Sequence, residues 1–355
     1  MTIRRSRKIT FLAAAILPVF AFTACSAGDS TATDAAAGDC SDVTLRLSHQ
    51  WPDATGDEGD FRAVVAAKFA AGVEKATDGE VKVQIFPNST LSKSTEQYDA
   101  MMQGAIDMSV FPLDYASGRV PQFSVTLMPA LVRSHEQAKA WETSPIGDKL
   151  LETMDENGSK PLVWIWNAGA IGSKGAPVQG PGDITPGMTM RAAGGYVEHM
   201  LADAGAGITS LPSSELYTAL QTGVLDGAIT STGSFASYNL QEQVKSYTSP
   251  TDNTFWFMFE PLIVSNKSFD KLCASQQDAL VSVGKDIQDF AYSASEADDA
   301  RVDKIFSDAG VDVVQMDDDA FAEWQTLAKK QWADFAANVD GGEELLKLAQ
   351  EVPAE

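Results

Sequence analysis

One pattern occurs twice in this chain, and it limits the possible folds more than any other feature. Glu96, Tyr98, Ala100, Gly104 and Asp107 are matched by Glu215, Tyr217, Ala219, Gly223 and Asp226, so both segments read E-x-Y-x-A-x3-G-x2-D. Glu96 to Glu215 spans 119 residues, and Asp107 to Asp226 spans 119 as well. Each copy follows a loop with proline and serine (Pro87-Asn88-Ser89; Pro212-Ser213-Ser214) and runs into a short apolar segment at 106–110 or 225–229. Chance supplies two or three such identities. Five at one offset, in matching contexts, predict two structurally equivalent lobes.

The first lobe is legible element by element. Residues 43–49 (VTLRLSH) alternate apolar and polar, the period of a half-buried strand. Phe61, Val64, Val65, Phe69 and Val73 fall at helical spacing over 61–76, and 80–86 (EVKVQIF) alternates again. A helix over 95–103 is stopped by Gly104, and 106–111 reads as a strand. This order of strands and helices predicts a largely parallel α/β layer. Ligands of open α/β sheets lie beyond the carboxyl ends of the strands, and clefts between domains are common pockets. A hinged pair of lobes closes over a solute without any catalytic group. Proline-free helical patterns over 275–306 and 319–338 supply long braces between the lobes.

Arg4, Arg5, Arg7 and Lys8 precede an apolar run over 9–22, which is shorter than the roughly 20 residues of a membrane span. That is the layout of a secretory leader. The run ends Phe22-Thr23-Ala24-Cys25, which resembles a lipobox, where the cysteine is acylated and becomes the mature N-terminus. Phe22 departs from the usual leucine, and the other reading is a leader with an incidental cysteine. Arg4-Arg5 is a weak twin-arginine match, because Arg7 and Lys8 stand where apolar residues belong. Residues 26–40, rich in Ser, Thr, Ala, Gly and Asp, read as a flexible tether. The chain beyond residue 40 is long enough for two domains.

Loss of the leader leaves 22 basic against 49 acidic residues, a formal charge of −27. Such a chain binds neither nucleic acid nor anionic membrane by bulk electrostatics. It also repels an anionic ligand at long range, so an anion site needs local positive charge. Cys40 and Cys273 are a disulfide candidate in an exported protein, the alternative being two separate thiols.

Gly187-Met188-Thr189-Met190-Arg191, then Gly205-Ala206, then LPSSELYTALQTGVLDG over 211–227 resemble the DctP-type solute receptors of tripartite ATP-independent periplasmic (TRAP) transporters. Supporting stretches are 80–91, 104–108 and 261–272 (PLIVSNKSFDKL), so the resemblance covers nearly the whole mature chain. It implies an α/β, two-lobed periplasmic-binding-protein-like fold with a ligand cleft and long C-terminal bracing helices. Lobe I would comprise 41–168 plus 257–297, and lobe II 169–256 plus 298–355. It further implies an extracytoplasmic receptor that takes a small organic-acid anion, needs no cofactor, and hands the ligand to a small and a large membrane subunit; the lipobox-like stretch, not the family, adds the expectation of a lipid anchor on Cys25. Both cysteines then belong to lobe I, where the family's chain returns near 261–272. The family's arginine matches Arg191. A guanidinium is a rigid fork that meets a carboxylate with two parallel hydrogen bonds, and it supplies the local charge that the acidic composition demands.

Two departures bear on the ligand. Many relatives carry a second arginine where this chain has Ile171, within Trp166-Asn167-Ala168-Gly169-Ala170-Ile171. Many carry an asparagine where Thr230 and Ser231 stand, so hydroxyls replace an amide. The first departure favours one carboxylate on a less polar body over a C4-dicarboxylate. Trp51, Trp164, Trp166, Phe255, Trp256 and Phe257 crowd the expected hinge and cleft, with Trp51 and Trp256 the preferred walls and core packing the alternative. His49 and Asn167 are cleft candidates. Glu58 could meet an amino or hydroxyl group, or simply favour a helix start. Glu215 belongs to the family's motif, but its repeat in the first lobe as Glu96 points to a supporting role. His49, His135 and His199 are too scattered for a metal site. Against the receptor stand an ABC-type binding lipoprotein with the same two-lobed physics, and an exported hydrolase. No G-x-S-x-G, H-E-x-x-H or P-loop supports an enzyme.

Overall fold

A computed structural model describes residues 40–354. The leader, the lipobox and Cys25 lie outside the described residues.

The first lobe starts as expected: β1 (Val43–Ser48), α1 (Phe61–Ala76), β2 (Val81–Phe86), α2 (Gln97–Gln103) and β3 (Met108–Val110). Asp60 caps α1, its side chain accepting from the Arg62 amide. Helices α3 (His135–Trp141) and α4 (Pro145–Glu156) lead to β4 (Ser159–Val163) and the long strand β5 (Trp166–Ser173). The second lobe adds β6 (Thr189–Arg191), α5 (Gly195–Asp203), β7 (Gly207–Ile208), α6 (Leu216–Gln221), β8 (Gly227–Ser231), α7 (Thr232–Ser237) and β9 (Ser246–Ser249). The chain returns through β10 (Phe257–Phe259) and β11 (Leu262–Ser265), then runs through α8 (Asn266–Phe269), α9 (Ala274–Asp308), β12 (Asp312–Gln315), α10 (Asp318–Asn338) and α11 (Gly342–Gln350).

The strands form two sheets, ordered β2-β1-β3-β11-β4 and β12-β9-β5-β8-β6-β7, with β10 paired to β5. They are mixed rather than largely parallel. The pairs β1–β2, β1–β3, β6–β8 and β6–β7 are parallel, as strands joined by helical crossovers must be. Strand β11 runs antiparallel to β3 and β4, and β5 runs antiparallel to β8 and β9. These are the strands near which the chain passes from one sheet to the other, so they enter against the direction of the crossover units.

The repeated motif folds the same way twice. A 3-10 turn (Ser94–Glu96; Ser213–Glu215) opens α2 or α6, and a left-handed glycine comes after it, Gly104 at φ +79° and Gly223 at φ +76°. The next amide bonds back to the motif alanine: Ala105 to Ala100 at 2.8 Å, Val224 to Ala219 at 2.9 Å. The aspartate then grips the neighbouring parallel strand. Asp107 Oδ2 accepts from the Arg46 amide of β1, and Asp226 Oδ2 from the Thr189 amide of β6, both at 2.9 Å. The equivalence therefore extends to β1 and β6, and the motif's carboxylates do structural work.

Helix α9 spans 35 residues, on the order of 50 Å. Its Leu280 and Val283 join the apolar cluster around α1 and the first sheet, while Val302 and Phe306 join that of the second sheet. Helix α10 also bridges, with Trp324 in the second lobe's core and Phe335 among first-lobe side chains such as Tyr98 and Trp141. Cys40 and Cys273 form a disulfide that ties the start of β1 to the N-terminus of α9, as expected.

Candidate functional site

Arg191 ends β6 and is 1 % exposed. Its Nε donates to the Leu211 carbonyl (2.8 Å), Nη1 to the Ile229 carbonyl (2.9 Å) and Nη2 to the Tyr115 hydroxyl (3.1 Å). Two backbone carbonyls of its own lobe thus fix the fork, and Tyr115 reaches it from the turn Leu113–Ala116 beyond β3 in the other lobe. A guanidinium carries five N–H donors. Three are used, leaving one on each terminal nitrogen, the pair a carboxylate can engage. Tyr115 Oη also accepts from the Ser213 amide (3.3 Å), which leaves its own proton to donate.

A connected set of polar groups leads from Arg191 to the end of β1. Ser213 lies against the Tyr238 hydroxyl, which donates to the Gln50 carbonyl (3.0 Å). Burial holds the Tyr238 phenol well above its ordinary pKa, so it stays a donor. At the end of β1, Ser48 Oγ and Gln50 Oε1 are buried without a partner, as are Ser89 Oγ and the indole N–H groups of Trp141, Trp166 and Trp256, while the buried His49 ring meets the Trp51 backbone. An unpaired buried polar atom costs about 1–3 kcal/mol, so a set of them marks a surface built to meet something polar. Burial lowers His49 to about 4, more than Asp60 and Asp53 raise it, so the imidazole is neutral at physiological pH.

A second constellation joins residues of the first and second sheets' lobes around one guanidinium. Arg62, fully buried, donates to Asp60 (2.8 and 2.6 Å), Glu260 (2.6 Å), Ser231 (2.8 Å) and Ser234 (3.2 Å), and stacks 3.9 Å from the Trp51 ring centroid. Ser237 adds a bond to Asp60 (2.5 Å). Burial opposes ionisation of Asp60, but the Arg62 guanidinium outweighs it and holds the acid below its ordinary pKa. Glu260 moves the other way, because burial exceeds its share of the same guanidinium. Burial likewise raises Asp298 nearby to about 6, despite Arg301.

The structure distributes the expected residues between these groups. Arg191 and Thr230, the latter adjacent to the Ile229 carbonyl that Arg191 holds, stand together at the ends of β6 and β8. His49 stands at the end of β1. Trp51 is taken by the Arg62 cluster: the guanidinium covers its ring and its Nε1 donates to Ser234 (3.2 Å). Ser231 is taken by Arg62. Asn167, with its amide turned to satisfy both ends, accepts from Arg62 Nη1 (3.3 Å) and donates to Thr232 Oγ1 (3.1 Å). Trp166 packs between Trp141 and Phe259, and its carbonyl accepts from Ser295 Oγ. Trp256 packs on Gly169, where a Cβ would come within 2.3 Å of the indole. Ile171 is core, registered opposite Ile229. Glu58 and Glu215 are exposed, Glu58 in a turn bridged to Thr55 and Glu215 at the start of α6; neither joins the groups above. Their local turns aim both side chains at solvent, as for Glu96. Among the described residues no cluster of metal ligands occurs.

Tyr115, Tyr238, Arg62 and Glu260 escaped the sequence reading, and Asp60 figures there only as the end of the acidic 57–60 loop before the first helix, which it caps. Arg62 and Glu260 left a trace: each is a charge inside an apolar run, between Phe61 and Ala63 or after Phe257-Met258-Phe259.

Residues 53–338 match the family model for bacterial extracellular solute-binding proteins of family 7, DctP. The chain belongs to this family. A solute-binding protein of Albidiferax ferrireducens is 44% identical over 308 residues, covering 86% of this chain and 91% of that one. The C4-dicarboxylate-binding periplasmic protein DctP of Rhodobacter capsulatus is 27% identical over 271 residues, 76% of this chain and 78% of that one. Among solved structures, a TRAP periplasmic solute-binding protein from Rhodoferax ferrireducens with bound malonate superposes with a TM-score of 0.84 at 43% identity, covering 87% of this chain and 98% of that chain. The two-lobed receptor architecture is therefore shared. This DctP-family chain is an extracytoplasmic solute receptor of the TRAP type, and no described helix is long and apolar enough to cross a membrane.

Proposed function

We propose that this receptor closes over a small organic carboxylate, anchors it on Arg191, and delivers it to the two membrane subunits of a TRAP permease. The observation that carries this reading is the state of Arg191. It is buried, held by two carbonyls, and retains one N–H on each terminal nitrogen beside a Tyr115 hydroxyl that can donate. That is a preorganised fork for one carboxylate, and in an acidic protein it provides the local cation that an anion needs. The hinged lobes in this reading are 41–168 with 257–297 and 169–256 with 298–355, the last helix, α11, packing back on α4 of the first. Cys25 is the acylated residue that holds the receptor on the outer face of the membrane. The family match and its TRAP relatives favour this reading over an ABC receptor.

The ligand has one dominant carboxylate. Arg62 is saturated by its own carboxylates, and Ile171 contributes no second guanidinium. The unpartnered groups of Gln50 and Ser48, with the His49 ring, offer polar contacts to the ligand's far end, and Trp166 and Trp256 offer indole N–H groups. A second carboxylate without a cation would be costly in the closed cleft. Calorimetric titration of mono- and dicarboxylates, with malonate included because the 43%-identical relative holds it, tests this on wild type and Arg191 variants. Arg191→Lys keeps the charge but loses the fork and should weaken binding roughly tenfold or more, and Arg191→Ala should weaken it further. Binding by Arg191→Ala within about twofold of wild type would refute the anchor. Clearly tighter binding of C4-dicarboxylates would refute the single-carboxylate ligand.

A further inference from the structure

One acid stands in the contact between the lobes with nothing to neutralise it. Asp114 lies just beyond β3 and is 4 % exposed. Its neighbours Leu113 and Ala116 belong to the apolar cluster of Tyr98 and Trp141. Its carboxylate faces the other lobe: Oδ2 lies 3.5 Å from where a Cβ would stand on Gly194, the residue before α5, and Leu127 lies 2.8 Å from the same point. Gly194 has φ +90° and no side chain, which lets the start of α5 press onto the acid.

The surroundings give this carboxylate no counter-charge. From α5 come the Glu198 carboxylate and the Tyr196 phenol, on which Asp334 of α10 adds further negative potential. From β6 comes Arg191, whose bonds go to Leu211, Ile229 and Tyr115. From its own turn comes Tyr115, whose hydroxyl accepts from Arg191 and Ser213. None of these donates to Asp114. Burial first, and Glu198 second, raise the acid to about 7 from its ordinary 3.8.

We propose that closure of the cleft takes up a proton at Asp114, so that the receptor captures its anion together with a proton and gives up both on opening. This rests on the hinged-cleft reading above. Opening returns the carboxyl to water. A group held higher in the closed form favours closure as the pH falls, and that advantage is lost as the pH rises through about 7. Between pH 8 and pH 5.5 the closing equilibrium should gain up to about 30-fold. The proton would offset the charge of the incoming anion in a site without a second cation.

The test uses the ligand-free full chain and small-angle scattering at pH 5.5 and 8, for wild type, Asp114→Asn and Asp114→Ser. Asparagine keeps the shape of the protonated acid, and serine serves if it misfolds. Wild type should have the larger radius of gyration at pH 8, and the variants should be equally compact at both. A wild type that does not respond to pH, or variants that respond as it does, overturns the proposal. Malonate titrations form a second arm. The affinity of Asp114→Asn relative to wild type should grow by up to about 30-fold from pH 5.5 to 8, and because each pair is compared at one pH, malonate's own ionisation cancels. An unchanged ratio counts against the proton. If malonate, a dicarboxylate, does not bind, the tightest monocarboxylate of the calorimetric series replaces it in this arm; failure of every carboxylate counts against the carboxylate reading, and the scattering comparison still decides Asp114.

Discussion

Arg62→Ala should be among the most damaging single substitutions in this receptor. The side chain has no exposed surface, and two buried carboxylates share it: Asp60 at 2.6 Å and Glu260 at 2.6 Å. Removing one partner of a buried ion pair costs about 3–5 kcal/mol, because the remaining charge is left uncompensated. Here two are left, in one pocket, with Ser231 and Ser234 also losing a partner. The guanidinium stack on Trp51 adds up to about 2 kcal/mol where it is desolvated. These terms overlap, so the upper part of the 3–5 kcal/mol range is the expectation at about pH 7. The pH dependence comes from the acids. In wild type Asp60 is held below 3.8, so its stabilising contribution is present above that value and is lost as the pH falls through its lowered folded value. Without Arg62 both acids hold protons more tightly, and acidification relieves the variant. The deficit should narrow from pH 7 towards pH 4. Urea unfolding monitored by circular dichroism measures it. The combination Arg62→Met, Asp60→Asn, Glu260→Gln should recover most of the loss, because asparagine still caps α1 and no buried charge remains. A cost below about 1 kcal/mol at pH 7, or a triple variant no better than the single one, would refute the view that Arg62 neutralises Asp60 and Glu260.

Unreduced, denatured protein should show no free thiol from Cys40 or Cys273, and Cys273→Ser should destabilise by up to about 5 kcal/mol in the chain-entropy model, given a separation of 233 residues; two reactive thiols would rule the bond out. The His49 imidazole, lowered to about 4, should stay neutral down to about pH 5 in NMR titration, and a midpoint near 6.5 would contradict its burial. Gly169→Ala drives a methyl into the Trp256 ring and should cost about 1–3 kcal/mol in thermal unfolding, with no loss expected only if the indole has room to swing away.

Much of the fold was readable without coordinates, because it is local. The 61–76 helix, the long helix near 275–306 and the strand at 43–49 each arise from spacing within one element, and the structure places them within one or two residues. The repeated motif announced two equivalent lobes because a helix stop and a strand clamp need particular residues at fixed intervals. Sheet direction was misjudged for a physical reason as well: alternation shows that a segment is a strand, but not from which side it enters a sheet.

At the candidate site the sequence alone determined which residue types were available. It singled out Arg191 as the one cation with a reason to meet an anion, and the cysteine pair as a possible bond. Tertiary structure decided what each group is paired with. Arg62 meets Ser231 and Glu260 across 169 and 198 residues of chain, and Tyr115 meets Arg191 across 76. No local period encodes such distances. They arise because two apolar cores bring β1, β8 and the turn after β3 to one seam. Burial there sets the charge state of Asp114, His49 and Glu260, since the cost of ionisation depends on how much water the neighbouring lobe removes, and only the packed lobes fix that.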